Sequence, residues 1–167
     1  GPEMRSTGEV MGIDANLGIA YAKAQMSAQP PLPTGGNIFI SVKDSDKPAV
    51  VPIAREFADL GFIIYATGGT ARVLNAAGVQ TRLLYKLKEG RPNILDLIKK
   101  GDMHFIINTP SGQQPRRDEV VIRSAAVAAR IAMMTTLRGA QASSAAIRAL
   151  KDAGYAVKSL QEYHGIS

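Results

Sequence analysis

Residues 61–77 read Gly61-Phe-Ile-Ile-Tyr-Ala-Thr-Gly-Gly-Thr-Ala-Arg-Val-Leu-Asn-Ala-Ala77. An apolar run (Gly61 to Tyr65), a Gly-Thr loop and a helical pattern (Val73, Leu74, Ala77) follow one another, so the stretch predicts a strand, a tight loop and a helix from Thr70 to Ala77. Taken alone, Gly68-Gly69 only lets the backbone turn with positive φ. In this setting it does more. Unpaired N–H groups at a helix start, two glycines that let an oxyanion approach the main chain, and the hydroxyls of Thr67 and Thr70 make a cradle for a phosphate or carboxylate.

A second unit of the same kind precedes it. Asn37 to Val42 is rich in β-formers, and Lys43-Asp-Ser-Asp-Lys-Pro48 leads into Val50, Ile53, Ala54, Phe57 and Leu60 at helical spacing. Ser45 or Asp46 is placed to cap that helix and Pro48 to open it. Further strands are expected at Phe62–Ala66, Gln80–Tyr85, Met103–Asn108 and Ile131–Thr135. Further helices are expected at Asn93–Lys100, Asp118–Ala129 and Ala140–Ala153, with Gly78, Gly101 and Gly154 at their C-terminal caps. This alternation predicts an α/β fold: a three-layer, doubly wound, mostly parallel five-stranded sheet with helices on both faces.

Upstream, residues 1–12 show no period and read as an irregular opening segment, in which Gly1-Pro2 is either native or a cloning remnant. Leu17, Ala20, Tyr21 and Ala24 form a short amphipathic helix pattern after Asp14. The Pro/Gly-rich run to Gly36 then reads as a linker, dividing the chain into residues 1–36 and a domain at 37–167.

At 167 residues and 46% hydrophobic the chain can bury one solid core. No segment reads as a membrane span or a signal peptide. The absence of cysteine excludes disulfides and thiolate chemistry, and two histidines, His104 and His164, argue against a metal site. His104 reads as a core or edge residue of its strand. A net charge of +6 and a pI near 9.7 invite a nucleic-acid reading. Aromatic residues are only 5%, however, and the basic residues are dispersed, so stacking platforms for single strands are missing.

Ligands of such sheets bind beyond the carboxyl ends of the strands. The polar residues collected there are Ser41 and Lys47, Thr67 and Thr70, Lys86 with the loop to Pro92, and Asn108-Thr109-Pro110-Ser111-Gly112.

On these residues the sequence resembles the methylglyoxal-synthase-like domain family. The form it resembles more closely is the C-terminal regulatory domain of the carbamoyl-phosphate synthase large subunit. The matching stretches are Ser41-Val-Lys-Asp-Ser-Asp-Lys47, Gly61 to Ala71, Lys86 with Glu89-Gly-Arg-Pro92, and Ile106-Ile-Asn-Thr-Pro-Ser-Gly112. The opening Gly1 to Gly12 resembles the end of the preceding synthetic domain.

The resemblance implies part of a cytoplasmic, glutamine-dependent ligase that makes carbamoyl phosphate for pyrimidine and arginine synthesis. The parent enzyme uses ATP with Mg or Mn, and K. This stretch itself is expected to be non-catalytic and to need no cofactor. Its expected partners are a nucleotide monophosphate effector (UMP or IMP), the preceding synthetic domains of the same subunit and the glutaminase small subunit, with no nucleic acid and no membrane. The effector-binding residues implied are Ser41, Lys47, Thr67, Gly68, Gly69, Thr70, Lys86, Asn108 and Thr109, with Asp118 and Thr135 as a second effector site.

Two departures stand out. Pro110 replaces a hydroxyl residue, a loss expected to weaken or retune nucleotide selectivity. Met133-Met134 replace Tyr-Asp ahead of Thr135, which removes a partner for the ammonium of ornithine. The alternatives are a methylglyoxal-synthase-type lyase and an oligomerisation module acting through Val121, Ala125, Ala126 and Ala129. The lyase needs a carboxylate base beside the phosphate. Glu89 is the only carboxylate that reads as close to the pocket in sequence, and it is expected to be a surface partner of Arg91 or Lys88.

Overall fold

Strand β1 (Asn37–Ser41) buries Ile38, Phe39 and Ile40 almost completely, as a strand covered on both faces must. In the computed structural model, which describes residues 30–112 and 116–163, it is the centre of a five-stranded, all-parallel sheet of order β3-β2-β1-β4-β5. The remaining strands are β2 (Ile63–Thr67), β3 (Arg82–Leu84), β4 (Phe105–Asn108) and β5 (Ala132–Met134). The helices are α1 (Lys47–Asp59), α2 (Gly68–Ala76), α3 (Ile94–Lys100), α4 (Arg117–Ala128) and α5 (Leu137–Tyr163).

The period of two along each strand sorts the core into two layers. Ile38, Ile40, Ile64, Ala66, Phe105 and Ile107 face α1, α2 and α5, which contribute Val50, Phe57, Leu74 and Ile147. Phe39, Ile106 and Leu84 face α3 and α4, which contribute Ile94, Leu97, Ile122 and Ala126. Phe57 anchors the first layer, edge-on to Phe62 at 5.4 Å and tilted to Phe105 at 5.7 Å.

Several local expectations are corrected. Asp46 occupies the N-cap position of α1, but neither it nor Ser45 donates or accepts a capping bond; Ser45 lies in a one-turn 3-10 helix, Asp44–Asp46. Gly101 closes α3 with φ +76 and Gly78 follows α2 with φ +82, as expected of C-terminal glycines. Gly154, by contrast, lies inside α5, which runs ten residues past the expected end. A single glycine costs a helix only about 1 kcal/mol.

Leu32, read as linker, is buried in the core, and the Lys151 ammonium donates to the carbonyls of Thr34 and Leu60 at 3.1 and 2.8 Å. His104 is an exposed residue just ahead of β4, its Nδ1 accepting the Asn37 N–H at 2.9 Å. The helix read after Asp14 lies outside the described residues.

From β1 the chain winds outward to β2 and β3, then crosses to the other side of β1 for β4 and β5. The direction therefore reverses between β1 and β4, whose last residues, Ser41 and Asn108, are paired in register. A crevice opens at their carboxyl ends.

Candidate functional site

That crevice is a cleft of about 540 Å³. Its floor is the first turn of α2. Thr67, the N-cap residue, makes no capping bond there, and the turn holds no acidic side chain, so its N–H groups remain open to an anion. Gly68 adopts φ +37, which an L side chain resists.

Two lysines converge on this turn. A β-carbon on Gly69 would meet Lys47 Cε at 2.8 Å, and one on Gly68 would meet Lys86 Cε at 3.3 Å. A side chain at either position would thus push a lysine end aside, and Gly68 is favoured by the turn as well. Lys86 is held by its own loop: its N–H donates to Glu89 Oε1 at 2.8 Å, and the Glu89 N–H returns to the Lys86 carbonyl at 2.9 Å. Glu89 therefore serves the backbone instead of pairing with Arg91 or Lys88, and Arg91 pairs with Asp96.

The threonines secure the loop after β1. Thr70 Oγ1 accepts the Val42 N–H at 3.2 Å and Thr109 Oγ1 accepts the Lys43 N–H at 2.9 Å. Each hydroxyl uses a lone pair on the protein and keeps its proton for a ligand. Ser41 Oγ and Thr67 Oγ1 lie 3.5 Å apart beside them. Asn108 is 6% exposed and lines the cleft, yet its side chain has no hydrogen-bond partner among the described residues. A buried amide left this way calls for a partner that enters the cleft.

The sequence reading thus brings together Ser41, Lys47, Thr67, Gly69, Thr70, Lys86, Asn108 and Thr109 along the cleft, with Gly68 against Lys86. Asp118 also lines this cleft, whereas Thr135 borders a separate hollow; the two do not share a cavity.

The sequence reading missed Asp44. Its carboxylate is bonded to the Lys47 ammonium, which also donates to the Val42 carbonyl at 3.3 Å. That bond and the Lys47 charge, aided by Arg116 and Lys86, hold the Asp44 carboxyl below its ordinary 3.8. Also missed were Arg116 and Glu119, on the α4 side. Glu119 accepts from the N–H and hydroxyl of Ser111 at 3.2 and 3.1 Å and from the Arg116 N–H at 3.0 Å. Their position just after the β4 loop was the available signal, since every strand-to-helix loop of this fold opens on the same edge. Near these polar groups, Tyr85, Leu87, Ile94 and Ile122 give the cleft an apolar wall.

The cleft can therefore hold an anion on α2 between two ammonium groups and carry an apolar or planar group alongside. Among the described residues no cluster of His, Asp and Glu is placed to hold a metal, and no helix is long and apolar enough to cross a membrane.

The family profile described as MGS-like domain matches residues 49–135. Carbamoyl phosphate synthase large chains are similar over 98% of this chain, at 50% identity in a Nostoc species and 53% in Acidobacterium capsulatum. The C-terminal section of the Aquifex aeolicus large chain is 48% identical over 99%. The chain spans 15% of the length of the first two relatives and 32% of the third. The crystal structure of methylglyoxal synthase from Elizabethkingia anophelis NUHP1 shares the fold, with TM-score 0.52 and 15% identity over 65% of this chain and 76% of that one.

Proposed function

The chain belongs to the MGS-like domain family, in the form carried by carbamoyl phosphate synthase large chains, and from that premise we propose that it is a regulatory module whose cleft binds a nucleoside monophosphate. The observation that carries this reading is the convergence of Lys47 and Lys86 on the open first turn of α2. Helix-start amides and hydroxyls bind phosphate oxygens directionally, and two ammonium groups neutralise a dianion. The apolar wall with Asn108 suits the nucleoside. UMP and IMP are the effectors we assign, and the process controlled is glutamine-dependent carbamoyl phosphate synthesis by the cytoplasmic parent enzyme. That chemistry, with its ATP and metal ions, belongs to the preceding domains and the glutaminase subunit.

Regulation would work as a population shift. A phosphate on α2 favours one arrangement of the loops carrying Lys47, Lys86 and Asn108, and the neighbouring domain reads that arrangement. The lyase alternative has weaker support, because, among the described residues, two of the three carboxylates lining the cleft are engaged, Asp44 by Lys47 and Glu119 by Ser111 and Arg116; Asp118 is the carboxylate left to act as its base.

The test is calorimetric titration of the chain with UMP, IMP, inorganic phosphate and ornithine, repeated on Lys47→Ala and Thr70→Ala. Saturable nucleotide binding lost in both variants supports the reading. Absence of nucleotide binding at millimolar concentration, or turnover of dihydroxyacetone phosphate, would sink it.

A further inference from the structure

Helices α2 and α4 both open on the cleft, but with opposite chemistry. The first turn of α2 holds no acidic residue, whereas that of α4 carries Asp118 and Glu119. A phosphate is therefore favoured at α2 and repelled at α4. That contrast sets the direction of a ligand that carries one: its anion lies beyond β2 and the rest of it points toward β4. Only β1 separates β2 from β4, so the two ends of the cleft are about 9.5 Å apart, a span that a nucleoside monophosphate covers from its phosphate to the edge of its base.

At the β4 end two opposite charges stay unneutralised. Arg116 and Asp118 both line the cleft, and among the described residues neither side chain makes a hydrogen bond or an ion pair. Residues two apart on a helix do not face each other, so the two do not pair. The backbone of Arg116 is nevertheless fixed: its N–H donates to Glu119 Oε2 at 3.0 Å and its carbonyl accepts the Val120 N–H at 3.1 Å, while Glu119 Oε1 holds Ser111 of the β4 loop. From that anchor the guanidinium acts across the mouth of the cleft, since Asp44, whose carboxyl is lowered first by its bond to Lys47, also feels the Arg116 charge. Ile122, one turn beyond Asp118 on the same helix face, offers an apolar surface to a planar ring.

We propose that Arg116 and Asp118 are the specificity-determining residues of the cleft, and that together they read a base edge in which a carbonyl oxygen stands beside a ring N–H. This rests on the nucleotide reading above. A guanidinium only donates and a carboxylate only accepts. Uracil and hypoxanthine carry the matching pair, O4 with N3–H and O6 with N1–H, so both charges find a partner. Cytosine and adenine carry an amino group beside a bare ring nitrogen at the same places. With the phosphate seated on α2 the base keeps one orientation, and the exchange inverts both contacts: the guanidinium meets an amino group and the carboxylate meets a lone pair. A site built to hydrogen-bond one edge rejects the other because its own polar groups are then left unpaired.

The test is calorimetric titration of the chain with UMP against CMP and with IMP against AMP, each pair differing only at this edge. It is run on the wild type, on Arg116→Leu at an exposed position, and on Asp118→Asn, whose amide can donate as well as accept. Inorganic phosphate is the probe of the α2 end. Wild type should prefer UMP and IMP by about tenfold or more, and each substitution should bring the paired affinities together. At physiological salt, which screens exposed charges more than about 8 Å apart, Arg116→Leu should leave the affinity for inorganic phosphate unchanged. Nucleotides that bind the wild type without preference, or a preference that survives either substitution, would overturn this proposal and leave the nucleotide reading standing. Equal weakening of phosphate and UMP in Arg116→Leu would place the guanidinium on the phosphate and overturn it as well. Binding of no nucleotide at all would sink both.

Discussion

The Cε of Lys47 lies where it would be only 2.8 Å from a β-carbon on Gly69. Any side chain at residue 69 therefore displaces this cation, while the fold loses nothing, because Gly69 has ordinary φ and sits in a helix. Gly69→Ala should keep or raise folding stability, by up to about 1 kcal/mol, and should still weaken phosphate-ligand binding. Thermal melts paired with calorimetry separate the two effects. Unchanged affinity would mean that Lys47 does not hold the ligand.

Removing either lysine tests the electrostatics directly. Hydrogen bonds to charged groups contribute about 1.5–3 kcal/mol, so Lys86→Ala should raise the nucleotide Kd by roughly 10- to 100-fold. Affinity should also rise through pH 6, where the second phosphate proton leaves at a pKa of about 6, and should fall as salt is added. Titrations of wild type and variant at pH 5 and 7.5, in low and high salt, measure all three.

Asp44 competes with any phosphate for Lys47. Its side chain is 99% exposed, so the pair adds little to the fold, but a ligand must break or share it. Asp44→Asn should therefore tighten binding of inorganic phosphate and of UMP severalfold with little change in melting temperature. Equal or weaker binding would show that Asp44 contacts the ligand itself.

The fold was legible because its signals are local. Ile38 to Ile40, Ile64 and Phe105 to Ile107 announce buried strands, and Gly78 and Gly101 end helices where sequence places them. The Gly68–Thr70 turn was legible for the same reason, as strand, loop and helix are contiguous. What failed was either energetic or remote. Gly154 stays helical because one glycine costs less than the helix around it gains. Glu89 caps the Lys86 N–H instead of meeting Arg91, because Asp96 on α3 takes the guanidinium. Thr135 parts from Asp118 because they line different cavities, a distinction that no spacing encodes.

Asp96 links the Lys86 loop to acid stability. It accepts the Arg91 guanidinium at 2.6 Å and the Asn93 N–H at 2.9 Å, completing a capping box in which Asn93 Oδ1 accepts from the Leu95 and Asp96 N–H groups. The Arg91 hydrogen bond first, then that of Asn93, holds the Asp96 carboxyl below 3.8. A depressed folded value stabilises the protein above the unfolded value, and that contribution disappears as pH falls below 3.8 through the folded one. Wild type should thus lose urea resistance between pH 5 and 3 more steeply than Asp96→Asn, which starts lower and changes less. Asn93→Ala should cost about 1–2 kcal/mol at neutral pH through the lost cap. It should also weaken nucleotide binding without touching Lys86, since Asn93 Nδ2 anchors the loop at the Gly90 carbonyl at 3.1 Å. Urea midpoints across pH and calorimetry at pH 7.5 measure these effects; parallel pH profiles in wild type and Asp96→Asn would mean that the Arg91 pair is carried by solvent-exposed charge alone.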